Sequence, residues 1–142
     1  MTLESDGSFK DLASNHPLAV EVAGPTMEAC LARAVEAFAE AVADVHPSME
    51  ASTRPLRIAW SSTPSALLLA VLEECLRRGR EGEVAVGLLD AAVEDGHLQG
   101  ALQTVPASDP RLRARPRRVV SWHEVSLDRD GDDGWRGRIV AR

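Results

Sequence analysis

The spacing of apolar residues along this chain changes period several times, and each change marks an element. Leu18, Val20 and Val22 alternate with polar positions across His16 to Val22, a first short strand that Gly24-Pro25 ends. Thr26 then reads as a helix N-cap, with Glu28 in the first turn where a carboxylate meets the positive end of the helix dipole. Met27, Cys30, Leu31, Ala34, Val35, Phe38, Val42 and Val45 follow at helical spacing, so a helix runs to about Asp44. Leu56, Ile58 and Trp60 alternate again, a second strand entered after Pro55.

Thr63-Pro64-Ser65 opens a second helix, with proline at the first helical position where its missing N–H costs nothing. Leu67 to Leu76 is apolar nearly all round, so this helix requires cover on two sides; Arg77, Arg78 and Arg80 suit its C-terminal dipole, and Gly79 reads as its stop. Val84 to Val93 and His97 to Val105 are two strands joined at Asp95-Gly96, a dipeptide suited to a two-residue primed turn. Arg118 to Val125 reads as a further strand, with Val120, Trp122 and Glu124 on one face and Val119, Ser121, His123 and Val125 on the other. The polar, glycine-rich stretch Asp128 to Gly134 turns the chain back into a last strand, Trp135 to Val140. The expected architecture is α+β: one domain over residues 12–142, with two helices packed together on a largely antiparallel β-sheet. Residues 1–11 lack periodicity and read as a mobile leader.

A length of 142 residues suits a single domain that buries about 70% of its unfolded surface. The longest apolar run, Ala66 to Leu72, is too short to cross a bilayer, and residues 1–10 lack the basic-then-apolar order of a signal peptide, so the chain reads as cytoplasmic. Cys30 and Cys75 each fall on the apolar side of a helix, as small buried hydrophobes and not as a disulfide framework. The formal charge of -6 excludes nucleic-acid binding through overall attraction, yet Arg111, Arg113, Arg115, Arg117 and Arg118 are densely clustered. Extended, that run presents cations along one edge, suited either to a phosphate backbone or acidic protein surface, or to simple solvation beside nearby acids.

Little else points to chemistry. His16, His46, His97 and His123 show none of the helical spacings that aim two ligands at one metal. His123 is the unusual polar residue of its strand, and it reads either as a structural histidine hydrogen-bonded in or near the core or as part of a contact surface. The aspartates at 128, 130 and 132 begin like a calcium loop, but Asp133 and Ile139 stand where glycine and a bidentate glutamate are needed. There is no phosphate-binding glycine loop, no nucleophile elbow and no convincing catalytic nucleophile.

The order of elements, the helix start Thr26-Met27-Glu28-Ala29, the stretch Arg118-Val119-Val120-Ser121-Trp122-His123 and the ending Gly134-Trp135-Arg136-Gly137-Arg138-Ile139-Val140 resemble the archease family, from about Leu12 to Arg142. The corresponding family patterns are T-L-E-E-A, K-A-V-T-Y-H and G-W-x-A-R-V-I. The resemblance implies a small accessory protein, not itself an enzyme, that activates the RNA-splicing tRNA ligase by promoting its guanylylation and turnover. It also implies calcium held by acidic residues, one in the opening H-T-A-D motif and one after the last strand, so the strands His16 to Val22 and Trp135 to Val140 are expected to be neighbours. Those acids are not matched. The first falls on Ala19 if His16 is aligned, or near Pro17 without a gap, and the second falls on Arg142. No metal ligand or cofactor is therefore assigned, while Arg118 keeps the family lysine's charge. His16, Arg111, Arg113, Arg115, Arg118 and His123 are the candidate partner-binding residues. The expected partner is the ligase by resemblance, with RNA through the arginine run; the alternative is a diverged binding module serving another protein or nucleic acid. A small hydrolase built on His16 and His123 would need a carboxylate or nucleophile beside them that the sequence does not indicate.

Overall fold

The computed structural model describes residues 18–43, 51–60, 62–110, 112, 119, 121–131 and 134–142. The elements follow in the order β1 (Leu18–Gly24), α1 (Met27–Ala43), β2 (Ser52–Ala59), α2 (Pro64–Arg80), β3 (Glu83–Glu94), β4 (His97–Pro106), β5 (Trp122–Arg129) and β6 (Trp135–Ala141). The α+β class stands. The strands form two three-stranded antiparallel sheets, ordered β1-β6-β5 and β2-β4-β3. The leader assigned to residues 1–11 lies outside the described residues.

Both helix starts follow their cap chemistry. Thr26 Oγ1 accepts from the Ala29 amide at 3.0 Å, and Thr63, in extended geometry before Pro64, accepts from the Ala66 amide at 3.1 Å. The second stop lies later than expected. Gly79 is helical, and the chain leaves α2 through Glu81, whose amide reaches the Arg77 and Arg78 carbonyls, into Gly82 at φ +96, where a side chain would be strained.

α1 and α2 lie over the same sheets as expected, but these are two, and each helix packs against both. α1 packs on β1 and β6 and also on β3, while α2 packs on β5 and also on β3 and β2, and the helices touch each other only briefly. The cause is the breadth of their apolar faces: α2 buries Leu67, Leu68, Val71, Leu72 and Cys75, and a single sheet covers only one side of a helix. The main core has Leu31, Leu68, Leu72, Leu98, Leu102, Leu127 and Ile139 fully buried, and a smaller cluster holds Ala43, Val84 and Val105. Phe38 on α1 meets Trp122 on β5 with ring centroids 5.8 Å apart and planes tilted by 32°.

Two strands differ from expectation at their ends. β2 begins at Ser52, so Pro55 lies within it; the position is tolerated because β2 is an edge strand, and the Pro55 carbonyl accepts from Arg78 Nη2 at 3.3 Å. β5 begins at Trp122, four residues after the expected Arg118, and runs on to Arg129. The hairpin at Asp95 and Gly96 is as expected, since φ of 52° and 73° at its two central residues are those of a primed turn.

At the C-terminal end of α2 the polar groups are paired. Arg54 on β2 forks onto the Glu83 carboxylate of β3, with Nη2 2.7 Å from Oε2, and so ties the two edges of that sheet across β4. Glu74 accepts from both Arg77 and Arg78, and Arg77 also reaches Glu81.

Two measurements test this packing. Phe38→Ala should lose about 3 to 5 kcal/mol in urea denaturation, as for other buried aromatics, and a loss below about 1 kcal/mol would contradict the buried face. Hydrogen bonds from Arg77 to Glu74 and from Arg54 to Glu83 hold both carboxyls below the usual 4.5. Groups with depressed folded-state values stabilise above that value and lose their contribution as pH falls through the lowered one. Stability should therefore decline below pH 4.5, and a Glu74→Gln, Glu83→Gln double variant should flatten that decline.

Candidate functional site

Strand β6 lies between β1 and β5, so the first and last strands of the chain are neighbours. The register pairs Leu18 with Ala141 and Ala19 with Val140 on one side of β6, and Trp122 with Ala141 and Glu124 with Val140 on the other. One rung further, Ser121 and Arg142 exchange both backbone hydrogen bonds, at 3.0 and 2.9 Å. Directly paired residues share a face, so Leu18, Ala141 and Trp122 point inward, whereas Ala19, Val140, Glu124, Ser121 and Arg142 point outward.

A β-bulge between Trp122 and Glu124 changes the expected faces. Strict alternation puts Trp122 and Val125 on opposite sides, yet both pack against the core, because His123 is the extra residue and resets the alternation. His123 is consequently exposed, as is Glu124, which had been expected beside Trp122. The reading of His123 as a hydrogen-bonded core histidine is thus corrected: the bulge that turns Val125 inward turns His123 out. The other contact reading of this residue keeps the exposure it requires.

His16, Arg111, Arg113, Arg115 and Arg118, the remaining candidates, lie outside the described residues, as do Arg117 and His46. Their described neighbours are informative. Leu112 packs with Ala43, Val84 and Val105, and Val119 packs against the main core, so apolar anchors bracket residues 113–118. Ala43 ends α1, five residues after the Phe38 that meets Trp122, so Trp122 and the cluster that Leu112 joins both lie along the C-terminal half of one helix. His97 is elsewhere, in the β3–β4 hairpin, where Nδ1 lies 3.0 Å from the Asp95 carbonyl and 3.4 Å from Arg57 Nη2.

On the outward face, Glu124 Oε1 lies 3.7 Å from Arg138 Nε, and Glu21 is the register partner of Arg138 on its other side. Glu21 and Arg138 were not singled out from the sequence, because only the pairing of β6 with β1 and β5 brings them onto one face with Glu124, Ala19 and Arg142. Asp130, from the loop with calcium-like spacing, pairs with Arg136 at 3.1 Å. Among the described residues no group of three or more His, Cys, Asp or Glu is arranged to hold a metal. Burial pushes the Cys30 thiol up and the Cys75 thiol to about 12, away from nucleophilic reactivity at neutral pH.

The sequence model of the Archease protein family (MTH1598/TM1083) matches residues 16–141. No curated protein matches the chain. Among solved structures, the fold is similar to the solution structure of Methanobacterium thermoautotrophicum protein 1598, at TM-score 0.60 and 18% identity over 88% of this chain and 91% of that one. It is also similar to the crystal structure of an archease from Thermotoga maritima, described as a possible chaperone, at TM-score 0.54 and 12% identity over 87% of each chain.

The exposure of His123 is directly testable. His123→Ala should change stability by no more than about 0.5 kcal/mol in denaturant titration, as surface substitutions do. A loss above about 1.5 kcal/mol would return the side chain to the core.

Proposed function

The chain belongs to the archease family, and from that premise we propose that it is an accessory protein that binds an RNA-splicing tRNA ligase and promotes the ligase's guanylylation and turnover. The supporting observation is that β6 pairs with both β1 and β5, which gathers Ala19, Ser121, His123 and Arg142 at one end of the sheet. The two buried thiols, with their raised pKa values, fit a protein that carries out no covalent chemistry of its own. No helix among the described residues is long and apolar enough to cross a membrane; the activity proposed here places the protein in the cytoplasm.

On this reading the partner surface comprises His16 and His123 with Arg111, Arg113, Arg115 and Arg118. Cations there pair with phosphates of ligase-bound RNA or with acidic side chains of the ligase, and guanidinium groups suit both because their fork matches the oxygens two at a time. Leu112 and Val119, on either side of residues 113–118 in sequence, pack on the core. A second reading is favoured by one observation: Ala19 and Arg142 stand where the resemblance puts carboxylates. A diverged binding module with the same surface and another partner would retain this arrangement equally well.

Guanylylation of the RNA ligase from the same organism decides between these readings. Addition of the purified chain should accelerate repeated turnover several-fold, and an unchanged rate at saturating chain would exclude ligase activation. Where RNA binds, affinity should fall steeply with salt, and an Arg113→Glu, Arg115→Glu double variant should reduce the slope of log K against log salt by about 1.4 for single-stranded RNA if each arginine neutralises one phosphate. Binding indifferent to salt would remove the arginines from the interface.

A further inference from the structure

We infer that this chain holds no divalent ion at the end of the β1-β6-β5 sheet where its family resemblance implies calcium, and that Arg142 supplies a fixed positive charge there instead. The inference deepens the proposed archease activity, from which it takes the position of the site. The ladder supplies the rest. Ala19 pairs with Val140, and Arg142 lies two residues beyond Val140, just past β6 on the rung it shares with Ser121, so the three side chains project from the same outward face. The Arg142 backbone is anchored by two hydrogen bonds to Ser121, so its side chain springs from a fixed point on that face.

The residues present do not suit a hard cation. Calcium takes about 6 to 8 oxygens at roughly 2.3 to 2.6 Å, several of them anionic. Neither Ala19 nor the alternative match Pro17 carries a side-chain oxygen, and Arg142 brings a like charge to the ion. The acids on the same face do not compensate. Glu124 lies beside Arg138, and Glu21 is paired with Arg138 across β1 and β6. Glu21, Glu124, Arg138 and Arg142 together carry no formal net charge, whereas a calcium site requires a surplus of negative charge. The consequence for the proposed activity is that the charge presented to the partner at this end does not depend on the concentration of free divalent ion.

Calorimetric titration of the full chain with calcium chloride tests this directly, because it needs no ligase. No saturable heat up to about 1 mM calcium, and the same Tm in calcium and in EDTA, are the expected results. Saturable binding with a Kd at or below about 10 μM, the range of sensor sites, would overturn the inference and leave ligase activation untouched. Absence of ligase activation would, conversely, leave the titration result standing. Two double variants then test the placement, Ala19→Asp with Arg142→Asp and Pro17→Asp with Arg142→Asp. Ala19 and Arg142 are exposed, so the first pair leaves the core intact. At least one pair should acquire a Tm that rises with calcium, and failure of both would show that these positions do not converge on a common ion.

Discussion

Strand β6 is hydrogen-bonded along both edges, and much of this molecule depends on that double pairing. Its two neighbours come from opposite ends of the sequence, β1 from the start and β5 from just before β6 itself. Closing so long a loop is entropically unfavourable, but the cost grows only slowly with length and is offset by what the closed sheet packs against. α1 seats on it at close range. A Cβ on Gly24 would stand 2.8 Å from the Cys30 amide nitrogen, and one on Gly137 would stand 3.2 Å from Val22 and 3.5 Å from Cys30 Sγ. The missing side chains let the first turns of α1 approach the backbone of both strands, and from there the helix carries Phe38 to Trp122.

Two short sheets expose four edge strands, each a template for unwanted pairing. On three of them a helix side chain engages a backbone group: Arg33 donates to the Ala23 carbonyl of β1 at 2.6 Å, Arg78 to the Pro55 carbonyl of β2, and the Leu127 amide of β5 donates to Ser65 Oγ at 2.9 Å. The fourth, β3, is interrupted by irregular register around Val86 and around Asp90, the latter at φ 55°. The helices therefore fill the core and also cover sheet edges.

Local signals in the sequence were reliable where the physics is local. Thr26 and Thr63 cap helices because a hydroxyl three residues before an orphan amide has little else to do, and Asp95-Gly96 turns because both residues tolerate positive φ. The departures share a different cause. Pro55 is acceptable in β2 only because that strand is an edge, Gly79 continues a helix because Gly82 supplies the stop, and the division into two sheets follows from how much of each helix must be covered. The candidate site was legible in its pairing of first and last strands, through the family resemblance. It was not legible at His123, because a bulge is a property of two strands and the partner strand lies beyond any local window.

We propose that the partner meets the end of the β1-β6-β5 sheet containing Ala19, Ser121 to Glu124 and Arg142. Hydrogen–deuterium exchange of the chain with and without the RNA ligase proposed as its partner tests that most directly. Slowed exchange should concentrate in Ser121 to Val125, in Val140 to Arg142 and at the start of β1, with the outer face of the β2-β4-β3 sheet around Leu89 and Ala101 unchanged. Protection confined to that second sheet would contradict the account.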